Sequence, residues 1–201
     1  MDEKLERILT ECFRLFKKYG LKSISMDDIA RELGISKKTL YQYVSNKTEL
    51  IEQMLNHMVE KGNYESLREG FATMNAIDIL LEVSKKVSAE IKDLNPSNMF
   101  DLQKFYPTLY HDFVIKKRDL IFRQIKENFE RGISEGLYRN DLDTELVARL
   151  YIKKLIDMHD PDFLSSVDFS VEKVFSVMFD NHIRGIANLV GLTYYEKQIS
   201  I

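Results

Sequence analysis

Apolar residues recur at intervals of three and four positions through most of this chain, the spacing of residues that share one face of an α-helix. The first such stripe comprises Leu5, Ile8, Leu9, Cys12, Phe13 and Phe16. Only 8 glycines and 3 prolines occur in the 201 residues, so few positions interrupt the helical pattern. The pattern therefore predicts an all-α fold.

The same spacing predicts further helices downstream of residue 46. Their predicted ranges are 47–69, 76–94, 96–105, 107–136, 145–158 and 171–192. Pro96 and Pro107 each suit the first residue of a helix, because proline fixes the backbone dihedral φ and needs no hydrogen-bond acceptor there. No repeat, low-complexity tract or flexible linker separates these segments, so residues 47–201 are expected to form one helical domain.

Residues 23–50, SISMDDIARELGISKKTLYQYVSNKTEL, contain the densest set of helix signals in the chain. Ser25, Ser36 and Asn46 are of the N-cap type, whose side-chain oxygens accept hydrogen bonds from the first backbone N–H groups of a helix. Gly34 lies where the first of these helices should end, because glycine adopts the left-handed conformation with little strain. Two short helices joined by a glycine-containing turn indicate a helix-turn-helix, whose second helix, the recognition helix, lies in the DNA major groove. With the first helix of the chain, these two helices should form an N-terminal three-helix unit.

The recognition helix is predicted over residues 37–44, and its two faces follow from steps of 100° per residue. Leu40 and Val44 are apolar and four residues apart, so they should face inward. The residues that should point outward are Lys38, Thr39 and Gln42. Lysine can donate to guanine and glutamine can pair bidentately with adenine, which makes Lys38 and Gln42 the candidate base readers.

Other polar groups in this segment suit phosphate oxygens. Hydroxyl, phenol and ammonium groups, and the free N–H groups at a helix start, all donate hydrogen bonds to phosphate. Together with the base readers, the predicted DNA-binding residues are Ser25, Ser36, Lys37, Lys38, Thr39, Tyr41, Gln42, Tyr43 and Lys47. Helix-turn-helix hairpins also occur in all-α proteins that bind no nucleic acid, but two tyrosines beside so short a polar helix favour DNA binding.

The stretch IARELGISKKTLYQYVSNKTEL resembles the DNA-binding signature of the TetR (tetracycline-repressor) family of transcriptional regulators. The shared pattern is Ile-Ala, a Gly-apolar-Ser turn, a Leu-Tyr recognition helix and a lysine at the start of a long helix. Lys38, Tyr43 and Val44 depart from it, at positions where glycine, histidine and phenylalanine are frequent. The resemblance implies a ligand-responsive homodimeric regulator, most often a repressor, with residues 1–46 binding DNA and residues 47–201 forming the ligand-binding and dimerisation domain.

A second hypothesis is left open by the small side chain of Val44 and by the net charge of −3. In it, the chain is a helical effector- or partner-binding protein whose N-terminal helices no longer read DNA. However, residues 1–62 carry 11 basic and 10 acidic side chains, whereas residues 63–201 carry 18 and 22. A weakly basic end on an acidic chain suits contact with DNA through a small patch, so the DNA-binding regulator is the preferred hypothesis.

The last two predicted helices carry more apolar residues than one core-facing stripe needs. Two such helices from each subunit would form an intersubunit four-helix bundle, as the resemblance implies. The predicted dimer-interface residues are Leu150, Phe175, Met178, Phe179, Ile183 and Ile186. The alternative is that these side chains cover the core of a single chain. A homodimer would extend recognition to a palindromic operator, because two-fold symmetry presents two recognition helices.

A cluster of aromatic, thioether and hydrogen-bonding side chains surrounds Pro107 and is the candidate site for a small-molecule effector of unknown identity. Apolar walls with a few polar groups are typical of small-molecule sites. The predicted ligand-binding residues are Met99, Phe100, Gln103, Tyr106, Tyr110 and His111. The alternative is that the aromatic members of this cluster belong to an ordinary core.

Several classes of function have no support in the sequence. No G-x-S-x-G, H-E-x-x-H, C-x-x-C or P-loop pattern occurs, and the four histidines share no metal-ligand spacing, so neither catalysis nor a metal or cofactor is expected. Cys12 lies in the first apolar stripe and is expected to be a buried small hydrophobic residue. The longest uncharged stretch, residues 185–195, is too short to cross a membrane, and the N-terminus shows no signal segment, so a cytoplasmic location is expected.

Overall fold

The computed structural model describes residues 2–61, 68–92, 97–157 and 170–200. Within these ranges the chain forms α-helices, a 3-10 helix at Arg68–Thr73, and an isolated β-bridge between Tyr138 and Ala187. In chain order the α-helices are α1 (Glu3–Tyr19), α2 (Met26–Glu32), α3 (Lys37–Leu40), α4 (Lys47–Glu60), α5 (Ala76–Lys92), α6 (Ser97–Phe105), α7 (Pro107–Ser134), α8 (Thr144–Asp157), α9 (Val171–Ile186) and α10 (Leu189–Ile199). The predicted all-α class is confirmed.

The described residues fall into two compact units, the first lying within Met1–Gly62 and Asp93–Lys117. It contains α1 to α4, α6 and the start of α7, with α1 packed on α4 and α2 packed on α3. Its core includes Leu9, Ile29, Leu40, Leu50 and Leu102. Because α4 packs against α1, this unit extends past residue 46, where the sequence analysis divided the chain.

Cys12 lies in the same core and is fully buried, as predicted. Burial raises the pKa of its thiol to about 12, because a thiolate would lose its hydration there. The thiol therefore stays protonated and acts as a small apolar side chain.

The second unit lies within Asn63–Lys92 and Arg118–Ile201. It contains the 3-10 helix, α5, the rest of α7, and α8 to α10, with α9 packed on α5, α8 and α10. Its buried core includes Ile77, Phe129, Ala148, Phe175 and Ile183. Within the described ranges, no helix is both long enough and apolar enough to cross a bilayer.

Helix α4 ends earlier than the sequence analysis predicted, at Glu60 rather than near residue 69. The backbone N–H of Lys61 donates to the carbonyl of His57, which closes the last turn of the helix. Arg68–Thr73 forms a 3-10 helix instead of continuing α4. Residues 62–67 of the predicted range lie outside the described residues.

The predicted helix over residues 171–192 is also wrong, because it is broken into α9 and α10 at Ala187 and Asn188. Oδ1 of Asn188 accepts a 3.0 Å hydrogen bond from the N–H of Gly191 and so caps α10. The side-chain amide of Asn188 donates to the Gly136 carbonyl at 2.8 Å, and its backbone N–H donates to the Leu137 carbonyl at 3.0 Å. These bonds replace those of a continuous helix.

Candidate DNA-binding surface

Helix α2 begins at the predicted cap, Ser25, which forms a reciprocal capping box with Asp28. The backbone N–H of Asp28 donates to Oγ of Ser25 at 3.2 Å, and the N–H of Ser25 donates back to the Asp28 carboxylate at 3.0 Å. The Ser25 hydroxyl also donates to that carboxylate, at 2.6 Å. Hydrogen bonds from Ser25 lower the pKa of Asp28 by stabilising its charged form.

The turn between α2 and α3 depends on Gly34, whose φ of +65° lies in the left-handed region. Its N–H donates to the Arg31 carbonyl at 3.1 Å, and the N–H of Ile35 donates to the Ala30 carbonyl at 3.0 Å. This pair of bonds is a Schellman motif, which satisfies the last carbonyls of α2 and turns the chain into α3.

Helix α3 starts at its predicted cap but is shorter than the predicted range of 37–44. The N–H of Thr39 donates to Oγ of Ser36 at 3.0 Å, and the hydroxyls of these two residues lie 2.8 Å apart. After Leu40, the N–H of Gln42 donates to the Thr39 carbonyl at 3.2 Å, a bond of the tighter i to i+3 type. The polar segment therefore continues beyond α3 as a turn.

The structure has the predicted inward face of this segment and two of the three residues predicted to point outward, whereas Thr39 is half-buried. Leu40 and Val44 are buried in the core of the first unit, Val44 with only 2% of its surface exposed, so valine packs at this position without a larger side chain. Lys38 and Gln42 are exposed. Two apolar anchors thus fix the segment, and the candidate base readers project from it.

The two tyrosines that flank this face differ in their surroundings. Tyr41 is exposed over 41% of its surface, and the ammonium of Lys37 lies 6.0 Å from the centre of its ring. Tyr43 is half-buried and packs against the core of the first unit. Tyr43 is therefore less accessible than the sequence analysis expected, because the tight turn after Leu40 directs its ring toward the core.

Lys37 is exposed at the start of α3 and pairs with the carboxylate of Asp27 at 2.7 Å. That hydrogen bond raises the pKa of Lys37, because the neighbouring negative charge favours the ammonium form. Exposed ion pairs of this kind contribute little to stability, so the lysine can exchange Asp27 for a phosphate at small cost.

Helix α4 begins at the predicted cap, Asn46. Its Oδ1 accepts a 2.9 Å hydrogen bond from the N–H of Glu49, whose carboxylate accepts a 2.7 Å bond from the N–H of Ser45. The backbone bond from Ser45 is the main cause of a lowered pKa at Glu49.

Lys47, the first residue of α4, has internal partners that the sequence analysis did not anticipate. Its ammonium donates to the carbonyl of Leu21 at 2.6 Å and also to the carbonyl of Ile24. The side chain is half-buried, with the nitrogen 5.7 Å from the ring centre of Phe16. The sequence predicts a contact between this ammonium and DNA phosphates, whereas in the structure the ammonium points into the first unit.

The residues predicted to bind a small molecule are not gathered in a buried site. Phe100 is exposed over 57% of its surface, whereas Leu102 is the residue with which α6 enters the core. Tyr106 and Tyr110 are half-buried against the core of the first unit. The other three, all exposed, are Met99, Gln103 and His111. These six residues do not line one enclosed cavity, and their part in binding a ligand stays a prediction.

Four of the six predicted dimer-interface residues belong to the core of a single chain. Phe175, Phe179, Ile183 and Ile186 are buried in the second unit, on the face of α9 that packs inward. Met178 is half-buried. These four residues form the core-facing stripe of α9, and their part in an interface between chains stays a prediction.

Other apolar residues of the second unit are exposed, and of these only Leu150, at 56%, is among the six predicted interface residues. The exposed apolar residues of α8, α9 and α10 are Leu146, Leu150, Ile156, Val177, Leu189, Val190 and Ile199. The available signal was the spacing of Leu146 and Leu150, which places two leucines one turn apart on a face of α8 different from that of buried Ala148 and Ile152.

Comparison with known proteins places this helix-turn-helix in a family. Residues 8–54 match the family of bacterial regulatory proteins of the tetR type. An HTH-type transcriptional regulator of Staphylococcus aureus (strain bovine RF122 / ET3-1) is 32% identical over 139 residues, which cover 62% of this chain and 74% of that protein. The HTH-type transcriptional regulator YvaF of Bacillus subtilis is 26% identical over 189 residues, covering 90% of this chain and 94% of that protein.

Solved structures share the fold along nearly the whole chain. A TetR transcription regulator from Haloarcula marismortui superimposes with a TM-score of 0.72 at 18% identity, covering 94% of this chain and 100% of that one. A transcriptional regulator from Cytophaga hutchinsonii gives a TM-score of 0.73 at 16% identity, covering 93% and 100%. These likenesses show the fold, and the matched helix-turn-helix together with the 32% identical relative shows that the chain belongs to the TetR family of transcriptional regulators.

Proposed function

We propose that this DNA-binding transcriptional regulator is a repressor that binds a palindromic operator as a homodimer and leaves it when a small-molecule effector binds. The observation that carries the DNA-binding part is the two-sided recognition segment. Leu40 and Val44 anchor it in the core, while Lys38 and Gln42 project into solvent. Residues 1–46 are assigned to DNA binding, and residues 47–201 to effector binding and dimerisation.

The polar side chains of the recognition segment divide into two roles. Lys38 and Gln42 read bases, because their exposed donors and acceptors match guanine and adenine edges in the major groove. Lys37 and Tyr41 lie beside them and contact phosphates on either side of the groove. Thr39 is half-buried and its hydroxyl lies 2.8 Å from that of Ser36, so this pair acts chiefly by holding the start of α3.

Repression is supported by the name of one relative. The HTH-type transcriptional repressor KstR2 of Mycolicibacterium smegmatis is 24% identical over 157 residues, which cover 74% of this chain and 72% of that protein. A dimer bound at a promoter blocks access by occupying the DNA, without further contacts to the transcription machinery. This mode of action needs only the DNA-binding and dimerisation surfaces.

Dimerisation is supported by the exposed apolar surface of the second unit. Leu146 and Leu150 expose more than half of their surface one helical turn apart, and Leu189 is 81% exposed. Exposed apolar clusters on soluble domains commonly mark protein–protein contacts, because burying them removes apolar area from water. A second copy related by two-fold symmetry would cover the same residues on both chains.

The effector response rests on family membership, and no effector class is assigned. A small molecule can release the operator only if it binds the DNA-free conformation more tightly than the DNA-bound one. In this proposal the effector therefore stabilises the conformation that does not bind the operator, and the operator stabilises the conformation that binds the effector more weakly. Operator release by members of a defined metabolite library, with the protein still folded, tests this part.

Selection from a genomic DNA pool tests the DNA-binding part. The purified full chain, shown by sedimentation to be dimeric, is incubated with the pool at several salt concentrations, and bound fragments are sequenced. We expect enrichment of one palindromic sequence and a steep loss of affinity as salt rises, because bound phosphates release counterions. The double variant Lys38→Ala/Gln42→Ala is the control and should lose the enrichment while remaining folded.

If a folded dimer enriches no sequence at low salt, the repressor proposal fails. The alternative of a helical effector- or partner-binding protein would then stand. The main reason for that alternative was the small side chain at Val44, and this residue is buried in the core of the first unit.

A further inference from the structure

We propose that Lys47 is a positioning residue that ties the connection between α1 and α2 to the start of α4, and so fixes the helix-turn-helix in its DNA-binding orientation. This role differs from a direct phosphate contact, in which the ammonium would face DNA. The effect on DNA affinity rests on the DNA-binding function, whereas the tie itself is a property of the free protein.

The tie consists of two hydrogen bonds from one ammonium to two carbonyls. Nζ of Lys47 donates to the carbonyl of Leu21 at 2.6 Å and to the carbonyl of Ile24. Both acceptors lie between the end of α1 at Tyr19 and the cap of α2 at Ser25. Because Ile24 immediately precedes that cap, the ammonium holds the chain one residue before α2 begins.

The segment that receives these bonds lies outside the helices, and the two residues whose carbonyls accept them are buried. The side chains of Leu21 and Ile24 belong to the core of the first unit. Helix α1 ends at Gly20, which has a φ of +88°, so the carbonyls that follow it have left the helical hydrogen-bond pattern. A carbonyl near the core that accepts no hydrogen bond costs free energy, and the ammonium of Lys47 in α4 supplies a charged donor to both carbonyls.

The ammonium is enclosed from several sides within the first unit. Its nitrogen lies 5.7 Å from the ring centre of Phe16, a residue of α1. Burial lowers the pKa of Lys47, and the negative charges of Asp101 and Asp28 act in the opposite direction. An ammonium has three N–H groups, and two of them are used internally, so at most one remains for a phosphate.

The consequence for DNA binding is geometric. Helix α2 packs on α3, so a displacement at the start of α2 also moves the exposed Lys38 and Gln42. Base contacts require hydrogen-bond geometry, and a recognition segment that can tilt relative to α4 meets it in a smaller fraction of conformations. Loss of the tie should therefore lower operator affinity without changing the number of phosphates that the protein contacts.

The first test compares operator affinity across salt concentrations for wild type, Lys47→Met and Lys37→Ala. Methionine keeps an unbranched stem for the half-buried site but removes the charge and both hydrogen bonds. We expect Lys47→Met to bind about tenfold more weakly at every salt concentration, with an unchanged slope of log affinity against log salt. Lys37→Ala, which removes one phosphate contact from each chain of the dimer, should make that slope shallower by about 1.8, at about 0.9 per phosphate.

The affinities are measured well below the melting temperature of each variant, where a loss of stability alone leaves the folded fraction, and therefore the affinity, unchanged. A slope reduced in Lys47→Met as much as in Lys37→Ala would overturn the proposal in favour of a direct phosphate contact. Wild-type affinity in a folded Lys47→Met protein would also overturn it, because the tie would then be unnecessary for DNA binding.

The second test needs no DNA and is read out in the wild-type protein. In nitrogen-15-labelled wild-type protein at low temperature, the side-chain ammonium protons of Lys47 should exchange with water more slowly than those of exposed Lys37. To assign the Lys47 signal, protein labelled with nitrogen-15 only at lysine is compared with a Lys47→Arg protein labelled in the same way. Equally fast exchange at the two lysines would show that the internal bonds are absent and would overturn the proposal.

Discussion

The hydroxyl of Tyr138 donates a 2.9 Å hydrogen bond to Oδ1 of Asn128, and both side chains are buried in the second unit. The side-chain amide of Asn128 donates in turn to the carbonyl of Ala76 at 2.9 Å. This chain of bonds joins Tyr138, four residues beyond the end of α7, through Asn128 of α7 to the first residue of α5. Because it lies in the interior, each of its polar groups depends on its partner for a hydrogen bond.

Tyr138→Phe should therefore destabilise the protein although it removes a single oxygen. The substitution leaves Oδ1 of Asn128 buried without a donor, which costs about 1–3 kcal/mol in the free energy of unfolding. Urea denaturation followed by circular dichroism measures this difference. Tyr41→Phe, at an exposed tyrosine, is the matched control and should change stability by less than about 0.5 kcal/mol.

Two glycines in the second unit offer opposite predictions for the same substitution. A Cβ atom at Gly132 would overlap the ring of Tyr138, whereas a Cβ at Gly185 would meet no atom within 4 Å. Gly132→Ala should cost more than about 2 kcal/mol, because a packed ring must move. Gly185→Ala, within α9, should stabilise by roughly 0.5–1 kcal/mol through helix propensity. Thermal and urea unfolding of the two variants would contradict the packing described here if their order were reversed.

His182 makes the stability of the second unit depend on pH. It stacks on Tyr151 with a centre-to-centre distance of 3.8 Å, and burial lowers its pKa to about 4, with a smaller contribution from the charge of Lys154. The unfolded chain, with a histidine pKa near ~6.5, binds the proton more readily than the folded chain. The contribution of His182 to the free energy of unfolding is therefore fully present above pH ~6.5. It falls by up to about 1.4 kcal/mol per pH unit as the pH decreases from there to about 4, and it does not fall further below that pH.

His182→Phe should remove this part of the pH dependence while keeping an aromatic ring against Tyr151. The measurement is the free energy of unfolding between pH 7 and pH 4 for wild type and variant. His111→Gln, at an exposed histidine, is the comparison and should leave the wild-type slope in place. A wild-type slope retained in His182→Phe would assign the pH dependence to other groups.

The limits of sequence-based prediction in this protein follow from the range of the interactions. Ser25, Gly34 and Asn46 could be interpreted correctly because a cap acts on backbone groups three residues away. The break at Asn188 could not, since it depends on carbonyls of Gly136 and Tyr138, about fifty positions earlier.

The partners of Lys47 were hidden for the same reason. Its carbonyl acceptors lie 26 and 23 positions earlier, in a segment without regular structure. A lysine at the start of a helix beside a DNA-binding motif predicts a phosphate contact, and nothing local in the sequence contradicts that interpretation. Only the folding of α4 onto α1 brings the carbonyls within reach.

The two roles proposed for Gln42 and Lys37 predict different losses of DNA affinity. Gln42→Ala should cost about 1–3 kcal/mol at one base position and relax the preference there, because a bidentate contact to adenine is lost. Lys37→Ala should weaken all sequences about equally, since phosphates carry no sequence information. Binding of an operator library with every single base change measures both profiles. If the two variants give the same profile, the division between base reading and phosphate contact is wrong.

Because Leu150 of α8 is exposed whereas Phe179 of α9 is buried, we expect that separate substitutions can change the oligomeric state and the stability. Leu150→Glu places a charge on an exposed residue, so in the proposed homodimer it should produce monomers without a loss of monomer stability. Phe179→Ala instead truncates a buried ring of α9 and should cost about 3–5 kcal/mol in unfolding free energy. Sedimentation velocity and urea denaturation separate the two effects. A Leu150→Glu protein that stays dimeric over the full concentration range would move the interface away from α8, and with it the support for the proposed two-fold arrangement.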